Sequence, residues 1–187
     1  INPWMEGNIH KSSRDRSVEQ WYKLHDIIKE HAIVDLVPPQ KGWPDIVLTA
    51  NAGLVLGNVV GLSRIFHKER QGEEPHFKEW FLTQDFIVYE LPNDLPFEGA
   101  GDALLDREGR YLWAGYGFRS ELDSHPLLAK WLDIEVLSLR LIDERFYHLD
   151  TCFCPITGGY LLYYPPAFDS YSNLSLIHIS EPTRPED

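Results

Sequence analysis

Three residues whose side chains serve in covalent catalysis stand at every second position of YHLDTCF, residues 147–153. His148, Asp150 and Cys152 would project from one face if this segment formed a β-strand. A histidine, a carboxylate and a thiol are the groups of a cysteine–histidine nucleophilic site. Along a regular strand, however, His148 and Cys152 would lie roughly 13 Å apart, and a general base must come within about 3 Å of the proton that it removes. We therefore interpret Cys152 and Cys154 as buried, reduced strand residues and expect His148 to work with other groups.

Further polar residues that could bind or activate a substrate stand next to apolar segments. Each alone has an ordinary structural explanation, such as a helix cap, a turn or a solvated charge. Glu98 opens EGAGD, in which Gly99 and Gly101 would allow a backbone to approach closely. Arg70 and Arg119 occupy equivalent places, each shortly before a predicted helix. The candidates are Asp45, Asn51, Arg70, Glu98 and Arg119, together with His148 and Asp150.

Common catalytic signatures are missing from the sequence. GLSRI is not a nucleophile elbow, and no P-loop, dinucleotide-binding fingerprint or H-E-x-x-H motif occurs. The eight histidines show no metal-ligand spacing. We therefore expect neither a metal ion nor a cofactor, so the chemistry must come from side chains.

Composition and charge limit the kind of protein. The 187 residues are 43% hydrophobic, which suits one domain with a substantial core. A formal net charge of -12 argues against a nucleic-acid or anionic-membrane partner, because both attract clustered Lys and Arg. No apolar run has the length of a membrane span, and no signal-peptide pattern opens the chain. We expect a soluble, cytoplasmic protein, and the sequence leaves its oligomeric state open.

Hydrophobic periodicity predicts two rounds of one supersecondary order. Before them, Ser17 and Gln20 have the form of a capping box for a helix, and AIVDLVP, residues 32–38, has the composition of a strand. Each round consists of a hairpin that turns at a glycine, a helix and a strand, and FYHLDTCFCPI with YLLYY would open a third round. The predicted hairpins, helices and strands are residues 46–64, 75–84 and 86–92 in the first round, and 102–117, 125–132 and 134–142 in the second.

Repetition of a strand-strand-helix-strand unit is typical of propeller-like folds. We predict an α/β protein that forms a partial α/β-propeller built from these units. A doubly wound parallel sheet is the alternative, but it predicts single strands between the helices instead of hairpins.

The last part of the chain departs from this pattern. The stretch 174–184 corresponds, codon by codon, to a translated transposon adapter used in sequencing libraries. We therefore interpret residues 1–173 as an incomplete catalytic domain and residues 174–187 as a non-native tail.

Six motifs stand in a fixed order along the chain: NPWM, PDIVLTANAG, ERQGEE, FEGAGD, GYGFRS and FYHLD. In these motifs the chain resembles the guanidine-modifying (amidinotransferase) superfamily of arginine deiminases, dimethylarginine dimethylaminohydrolases and amidinotransferases. The resemblance covers residues 1–173 and implies the pentein fold, an α/β-propeller of which this chain would hold a part.

Three residues resemble the arginine dihydrolase branch, whose members convert arginine to ornithine, ammonia and carbon dioxide. They are Asn2 in NPWM, Asn51 in TANAG and Asp150 in HLD. Dimethylarginine hydrolases tend to have lysine where Asp150 stands and glutamate where Ala50 stands. An amidinotransferase is an alternative, because Asp150 also suits that branch, and a dimethylarginine dimethylaminohydrolase is another. A non-catalytic arginine-binding module is the alternative from a different class.

The resemblance implies how a guanidino substrate such as arginine would be bound. Asp45 and Asp150 would accept charge-assisted hydrogen bonds from the planar guanidinium. Arg70 and Arg119 would bind the α-carboxylate with their fork of donors. This small molecule is the one partner that we expect.

The resemblance also implies the reaction steps. His148 would protonate the departing amine and then activate water, while Glu98 would orient His148 and stabilise its charged form. Asn2 and Asn51 would position the substrate and the water of a second hydrolysis. In the family a cysteine thiolate attacks the guanidinium carbon, and that cysteine would lie beyond residue 173. We therefore expect this chain alone to be inactive.

Overall fold

The computed structural model of this chain describes residues 7, 11 and 13–180, with residues 178–180 described by their backbone alone. Its contacts divide the chain into two compact units, residues 1–44 and residues 45–187. Apart from Asn2, which lies outside the described residues, every candidate site residue belongs to the second unit.

The first unit contains helix α1, Arg14–Lys29, which confirms the predicted helix. Its N-cap is Ser13, whose side chain accepts a backbone hydrogen bond from the first turn. The predicted capping box at Ser17 and Gln20 is wrong, because the helix begins one turn earlier and the Ser17 hydroxyl donates to the carbonyl of Ser13. The predicted strand over residues 32–38 is also wrong. That segment runs without regular structure into two prolines, which lack the N–H of a strand ladder.

The second unit repeats a module of an antiparallel hairpin, a helix, and a third strand that runs parallel to the second strand of the hairpin. Two modules of this kind are complete, and a further hairpin and helix follow them. The predicted strand-strand-helix-strand repeat is therefore confirmed. The elements are β1 (Gly53–Leu56), β2 (Val59–Leu62), α2 (Glu74–Thr83) and β3 (Ile87–Glu90), then β4 (Ala103–Leu105), β5 (Tyr111–Tyr116), α3 (His125–Leu132) and β6 (Glu135–Arg140), then β7 (Phe153–Ile156), β8 (Tyr160–Tyr163) and α4 (Ser170–Ser180).

Local sequence explains where these elements turn and begin. Gly57 and Gly109 have positive φ angles of 60° and 69°, and both lie in the predicted hairpin turns. Helices α2 and α3 each carry a proline in the first turn, where its missing N–H would have no partner within the helix. Both turns and both helices are confirmed as the sequence predicts them.

Consecutive modules are joined by short bridges just beyond the ends of their strands. Arg64 pairs with Phe97, and Leu141 pairs with Phe168, both in antiparallel fashion. Two backbone hydrogen bonds of 2.8 and 2.9 Å form the first bridge. This bridge brings Glu98, at the start of the second module, beside the end of the first.

Two apolar clusters lie between successive modules. The first module packs on the second through Leu54, Leu91, Phe97, Ala103, Leu112, Leu128 and Leu132. The second packs on the segment after it through Trp113, Leu139, Leu141, Leu149, Cys152, Phe153, Ala167, Phe168 and Leu176. Leu176 is fully buried, so the segment that we interpreted as a non-native tail takes part in this packing.

One half of a predicted hairpin is irregular in a way that matters for the site. The predicted strand from residue 46 is replaced by two turns of 3-10 helix, Pro44–Val47 and Thr49–Ala52, and strand β1 begins only at Gly53. Short apolar runs do not distinguish a strand from a buried turn by periodicity alone. The second turn buries Asn51, which a strand would not hold in this place.

The described strands form a mixed α/β fold of three small sheets that do not close on one another. The α/β class is therefore confirmed. Within the described residues, the structure contains no helix with the length and apolar character needed to cross a membrane.

Candidate active site

His148 lies at the centre of a buried polar cluster. It is an extended residue directly before a 3-10 turn, Leu149–Thr151, and is 7% exposed. Its Nε2 lies 3.2 Å from Oε2 of Glu98. On the other side of the ring, Nδ1 lies 3.2 Å from Oδ2 of Asp102. The imidazole is therefore held between two carboxylates.

Glu98 is fully buried and has partners on both carboxylate oxygens. Oε1 accepts a hydrogen bond of 3.1 Å from the backbone N–H of Phe66. Oε2 faces His148 and also accepts a hydrogen bond of 3.3 Å from Arg119. The next residue, Gly99, has a φ of +61°, and a Cβ there would lie 2.7 Å from the carbonyl of Ala50. The expectation that this glycine allows close backbone approach is confirmed.

Asp102 is a site residue that the sequence reasoning missed. Its Oδ2 accepts a hydrogen bond of 2.6 Å from the hydroxyl of Ser120, and its Oδ1 accepts one of 3.1 Å from the backbone N–H of Leu149. Nδ1 of His148 makes no aligned hydrogen bond to it within the described residues, so the 3.2 Å contact acts as an ion pair of the imidazolium. Asp102 closes the motif FEGAGD, and its position as the acid after two glycines was the available signal.

The cluster favours a charged imidazole. Burial opposes the charge, but the contacts with Asp102 and Glu98 outweigh it and raise the pKa of His148 to about 9. Burial likewise opposes ionisation of Glu98, yet the hydrogen bond and charge of His148, with Arg119, hold the pKa of Glu98 below its usual range. At neutral pH the pair is therefore an imidazolium beside a carboxylate.

Asn51 joins this pair from the first module. Its Nδ2 donates a hydrogen bond of 3.1 Å to the carbonyl oxygen of Glu98 and lies 3.5 Å from Nε2 of His148. Gly101 makes room for both side chains, because a Cβ at this position would lie 2.8 Å from Nδ2 of Asn51 and 3.4 Å from Nδ1 of His148. The structure thus brings together residues that stand 97 positions apart in the chain.

Arg70 lies beside Asn51, and most of its guanidinium N–H groups donate hydrogen bonds within the cluster. Its Nη1 donates 3.0 Å to Oδ1 of Asn51, and its Nη2 donates 3.3 Å to the backbone carbonyl of Asp45. Nε and Nη2 also donate to the carboxylate of Glu73, with the shortest contact at 2.8 Å. The sequence reasoning missed Glu73, which is 1% exposed, because a glutamate in the charged run ERQGEE has the composition of a surface.

Arg119 and Tyr147 lie at the edge of the cluster nearest to solvent. The guanidinium carbon of Arg119 lies 4.6 Å from the centre of the Tyr147 ring, in a cation–π contact. Tyr147 is 43% exposed, and its ring also packs against His148. A ligand that approaches His148 from this side would therefore meet Arg119.

Asp150 lies in the turn that follows His148. The residue as a whole is exposed, and partial burial of its carboxyl raises the pKa of that group. The neighbouring charges act in opposite directions on that pKa, since His148 lowers it and Asp102 raises it.

The two cysteines differ from our expectation in their placement. The turn brings Sγ of Cys152 within 4.0 Å of the His148 carbonyl and 3.6 Å of the Leu149 carbonyl, so the separation expected for a regular strand is wrong. The thiol contacts these two carbonyls, and burial raises the pKa of Cys152 to about 11, which favours the neutral thiol over the thiolate. Cys154 is an exposed free thiol on β7, which corrects the expectation that it is buried.

The described residues include no group of three or more histidine, cysteine, aspartate or glutamate side chains arranged to hold a metal ion. The chemistry of the cluster is instead that of proton transfer, with an imidazolium, its carboxylate partners and an amide donor in direct contact.

Comparison with known proteins decides the family. No family model matches the chain. A bifunctional arginine dihydrolase/ornithine cyclodeaminase, AgrE of Nostoc sp., is 84% identical over 173 residues, which are 92% of this chain and 25% of that protein. The N-terminal domain of ArgZ, an arginine dihydrolase from cyanobacteria, superposes with a TM-score of 0.90 at 77% identity, over 97% of this chain and 67% of that domain. The chain belongs to the arginine dihydrolase family.

Other members of the guanidine-modifying superfamily are less similar to this chain. Dimethylarginine dimethylaminohydrolase of Mycobacterium tuberculosis is 35% identical over 173 residues, which are 91% of this chain and 55% of that protein. A solved dimethylarginine dimethylaminohydrolase at 19% identity has a TM-score of 0.68, which shows a shared fold. The chain spans about a quarter of the length of the bifunctional relatives, AgrE and ArgZ.

Proposed function

We propose that this chain is the acid–base and substrate-binding part of an enzyme that hydrolyses the guanidinium of arginine. The reaction takes arginine and two water molecules to ornithine, two ammonia and carbon dioxide. The main support is the position of the His148 imidazole, which lies between Glu98 and Asp102 with the amide of Asn51 beside it. Solved relatives support the substrate, since AgrE and the ArgZ domain have been crystallised with L-arginine and with substrate, respectively.

In this proposal His148 moves the protons. Its raised pKa keeps it protonated at neutral pH, so it can protonate the amine that leaves when a thiolate attacks the guanidinium carbon. The neutral imidazole that remains then takes a proton from water. Glu98 and Asp102 stabilise the charged form and fix the plane of the ring.

Charged groups around His148 would bind the substrate. Asp45 and Asp150 would accept hydrogen bonds from the guanidinium. Arg119 would bind the α-carboxylate at the exposed side of the cluster. Arg70 would add a remaining N–H, since contacts with described residues use four of its five N–H groups.

A second hydrolysis would distinguish this enzyme from a deiminase that stops at citrulline. We assign this step to Asn51, with Asn2, as the residues that position substrate and water. An asparagine-to-serine variant of the ArgZ domain has been crystallised with a covalently bound reaction intermediate, which supports a role for such an amide in that relative.

The nucleophile in this proposal is a cysteine outside the 187 residues. Sγ of Cys152 contacts the Leu149 carbonyl, and a cysteine-to-serine variant of the ArgZ domain holds its substrate, as expected if a thiol does the chemistry there. We also propose that the modules are blades of a partial α/β-propeller formed by residues 1–173, that residues 174–187 are a non-native tail, and that the protein is cytoplasmic.

The proposed substrate is tested in a chimera in which residues 1–173 replace the matching part of Nostoc AgrE. Arginine should be converted mainly to ornithine. It should be preferred over dimethylarginine by at least about thirtyfold, because methylation removes N–H donors and leaves a charged carboxylate acceptor without its bond in the complex. The measurement is kcat/KM for both substrates, with chromatographic separation of ornithine and citrulline.

Each alternative function gives its own result in that assay. Exclusive citrulline would assign a deiminase, and faster turnover of dimethylarginine would overturn the substrate. Transfer of the amidino group to an added amine, in place of hydrolysis, would assign an amidinotransferase. Binding of arginine without any product would leave a binding module.

The chain of 187 residues by itself should release no ammonia from arginine above background. Its two thiols are the buried Cys152, with a pKa of about 11, and the exposed Cys154 on β7. The measurement is ammonia release by the purified chain and by its Cys152→Ser and Cys154→Ser variants. Turnover that one of these substitutions abolishes would show that the nucleophile is within the chain.

A further inference from the structure

Arg70 holds the side chain of Asn51 in its position beside His148. Oδ1 of Asn51 accepts a hydrogen bond of 3.0 Å from Nη1 of Arg70. Arginine donates and never accepts, so this contact fixes which end of the amide is the oxygen. The donor end, Nδ2, therefore faces the Glu98 carbonyl and Nε2 of His148.

Arg70 is in turn held by Glu73. The carboxylate of Glu73 accepts from Nε at 3.2 and 3.3 Å and from Nη2 at 2.8 Å, which is the two-point geometry of a carboxylate on a guanidinium. The side chains of Glu73 and Arg70 are 1% and 5% exposed. A pair so deeply buried has one arrangement, and Nη1 of Arg70 is then directed at Asn51.

The orientation of the Asn51 amide matters for the neutral state of His148. In the imidazolium, Nε2 carries a proton and faces Glu98, so it has no lone pair for a donor. After His148 has given up this proton, an N–H donor beside Nε2 stabilises the neutral imidazole, which is the form that takes a proton from water. A reversed amide would present its oxygen and favour the imidazolium.

We propose that Glu73 is a positioning residue which, through Arg70, keeps the donor end of Asn51 toward His148 and so governs how often the first product is hydrolysed further. This inference rests on the proposed function and adds to it a residue that does not touch the substrate. Through Asn51, Glu73 acts mainly on the partition between citrulline and ornithine, and its effect on the binding of arginine, through Arg70, is smaller.

The first test is the product ratio of Glu73→Gln in the chimera. Glutamine accepts with one oxygen and carries no charge, so Arg70 and Asn51 are no longer fixed. The ratio of citrulline to ornithine should rise at least about tenfold, and KM for arginine should rise by a smaller factor, because Arg70 contributes one of several contacts to the substrate. Glu73→Asp keeps the charge but is one methylene shorter, and its product ratio should lie between the two.

Glu74→Gln is the matched control. Glu74 is the next residue and is also buried, but it pairs with Arg64 and the backbone N–H of Ile65, away from Asn51. Its substitution should lower the thermal stability by an amount similar to Glu73→Gln and leave the product ratio unchanged. An equal shift in both variants would make the effect one of stability and overturn the proposal.

A second readout does not depend on activity. In this chain, the pKa of His148 followed by NMR should rise in Glu73→Gln and stay unchanged in Glu74→Gln. An unchanged His148 titration in Glu73→Gln, or a changed KM with an unchanged product ratio, would contradict the positioning role. If both Glu73 variants are unfolded while Glu74→Gln is folded, Glu73 is structural and the proposal fails. A chimera that yields citrulline alone would instead refute the proposed function, and the NMR titration would still decide the role of Glu73.

Discussion

His148→Asn should lower kcat for ornithine formation by the chimera at least about 1000-fold. Asparagine can neither protonate the leaving amine nor take a proton from water, and both steps of the proposed reaction need this transfer. Glu98→Gln should lower kcat less, on the order of 100-fold, because Asp102 still stabilises the imidazolium from the other side. The measurement is steady-state kcat and KM for arginine, with single-turnover experiments to follow the first release of ammonia.

His76→Asn is the matched control for this prediction. His76 is half-buried on helix α2, in the first module and outside the polar cluster, and its replacement should leave kcat within about twofold. If His148→Asn retained a tenth of the activity, another group would have to be the general acid. If His148→Asn lost its folded structure as well as its activity, the kcat of Glu98→Gln would test the acid–base role instead. This substitution keeps the shape of the buried side chain.

The repeated architecture could be predicted because several local signals agreed on it. Gly57 and Gly109 marked the hairpin turns, and a proline marked the first turn of both internal helices. The turns around Asn51 and after His148 could not be predicted in the same way. Both are short apolar segments with polar residues at alternate places, a pattern that a half-buried strand shares with a 3-10 turn.

The sequence indicated the two central residues of the candidate site, but it did not indicate the buried acids that support them. Glu98 and His148 came from motifs of a known family, and the structure places them 3.2 Å apart. Asp102 and Glu73 are charged residues that become fully buried only when distant segments meet them. Ser120 and Leu149 surround Asp102, and neither is its neighbour in sequence. Burial of a carboxylate depends on such long-range contacts, which cannot be predicted from the local sequence composition.

The free energy of unfolding of this chain should fall as pH rises from 6.5 through about 9. The pKa of His148 is raised from 6.5 to about 9 in the folded chain, so folding favours its protonated form. The resulting stabilisation is fully present below pH 6.5 and is lost as pH rises through the folded-state pKa. A difference of this size corresponds to about 3 kcal/mol at most, and the relaxation of a buried ion pair makes the measured value smaller.

Other titratable groups near His148 must be considered in the pH dependence of stability between pH 6.5 and 9. Burial is the largest cause that lowers the pKa of His67, and it lowers the pKa of His125 to about 4, so both are neutral above pH 6.5. Glu98 has a lowered pKa and stays ionised through this range. Burial raises the pKa of Cys152 to about 11, so this thiol adds a further loss of stability as pH approaches 9. The part of the pH dependence that disappears when His148 is replaced is therefore assigned to His148 with its carboxylate partners.

Urea unfolding at a series of pH values measures this dependence, and the His148→Asn variant provides the reference curve without the imidazole. The difference between the two curves should decline from pH 6.5 to 9. In Asp102→Asn the decline should be smaller and should end at lower pH, because one of the two charges that hold the imidazolium is gone while Ser120 keeps a hydrogen-bond acceptor. NMR titration of His148 gives the same comparison directly. A His148 that titrates near 6.5 in the unaltered chain, or an Asp102→Asn variant with an unchanged curve, would show that the two carboxylates do not hold a charged imidazole, and the general acid of the proposed reaction would have to be sought elsewhere.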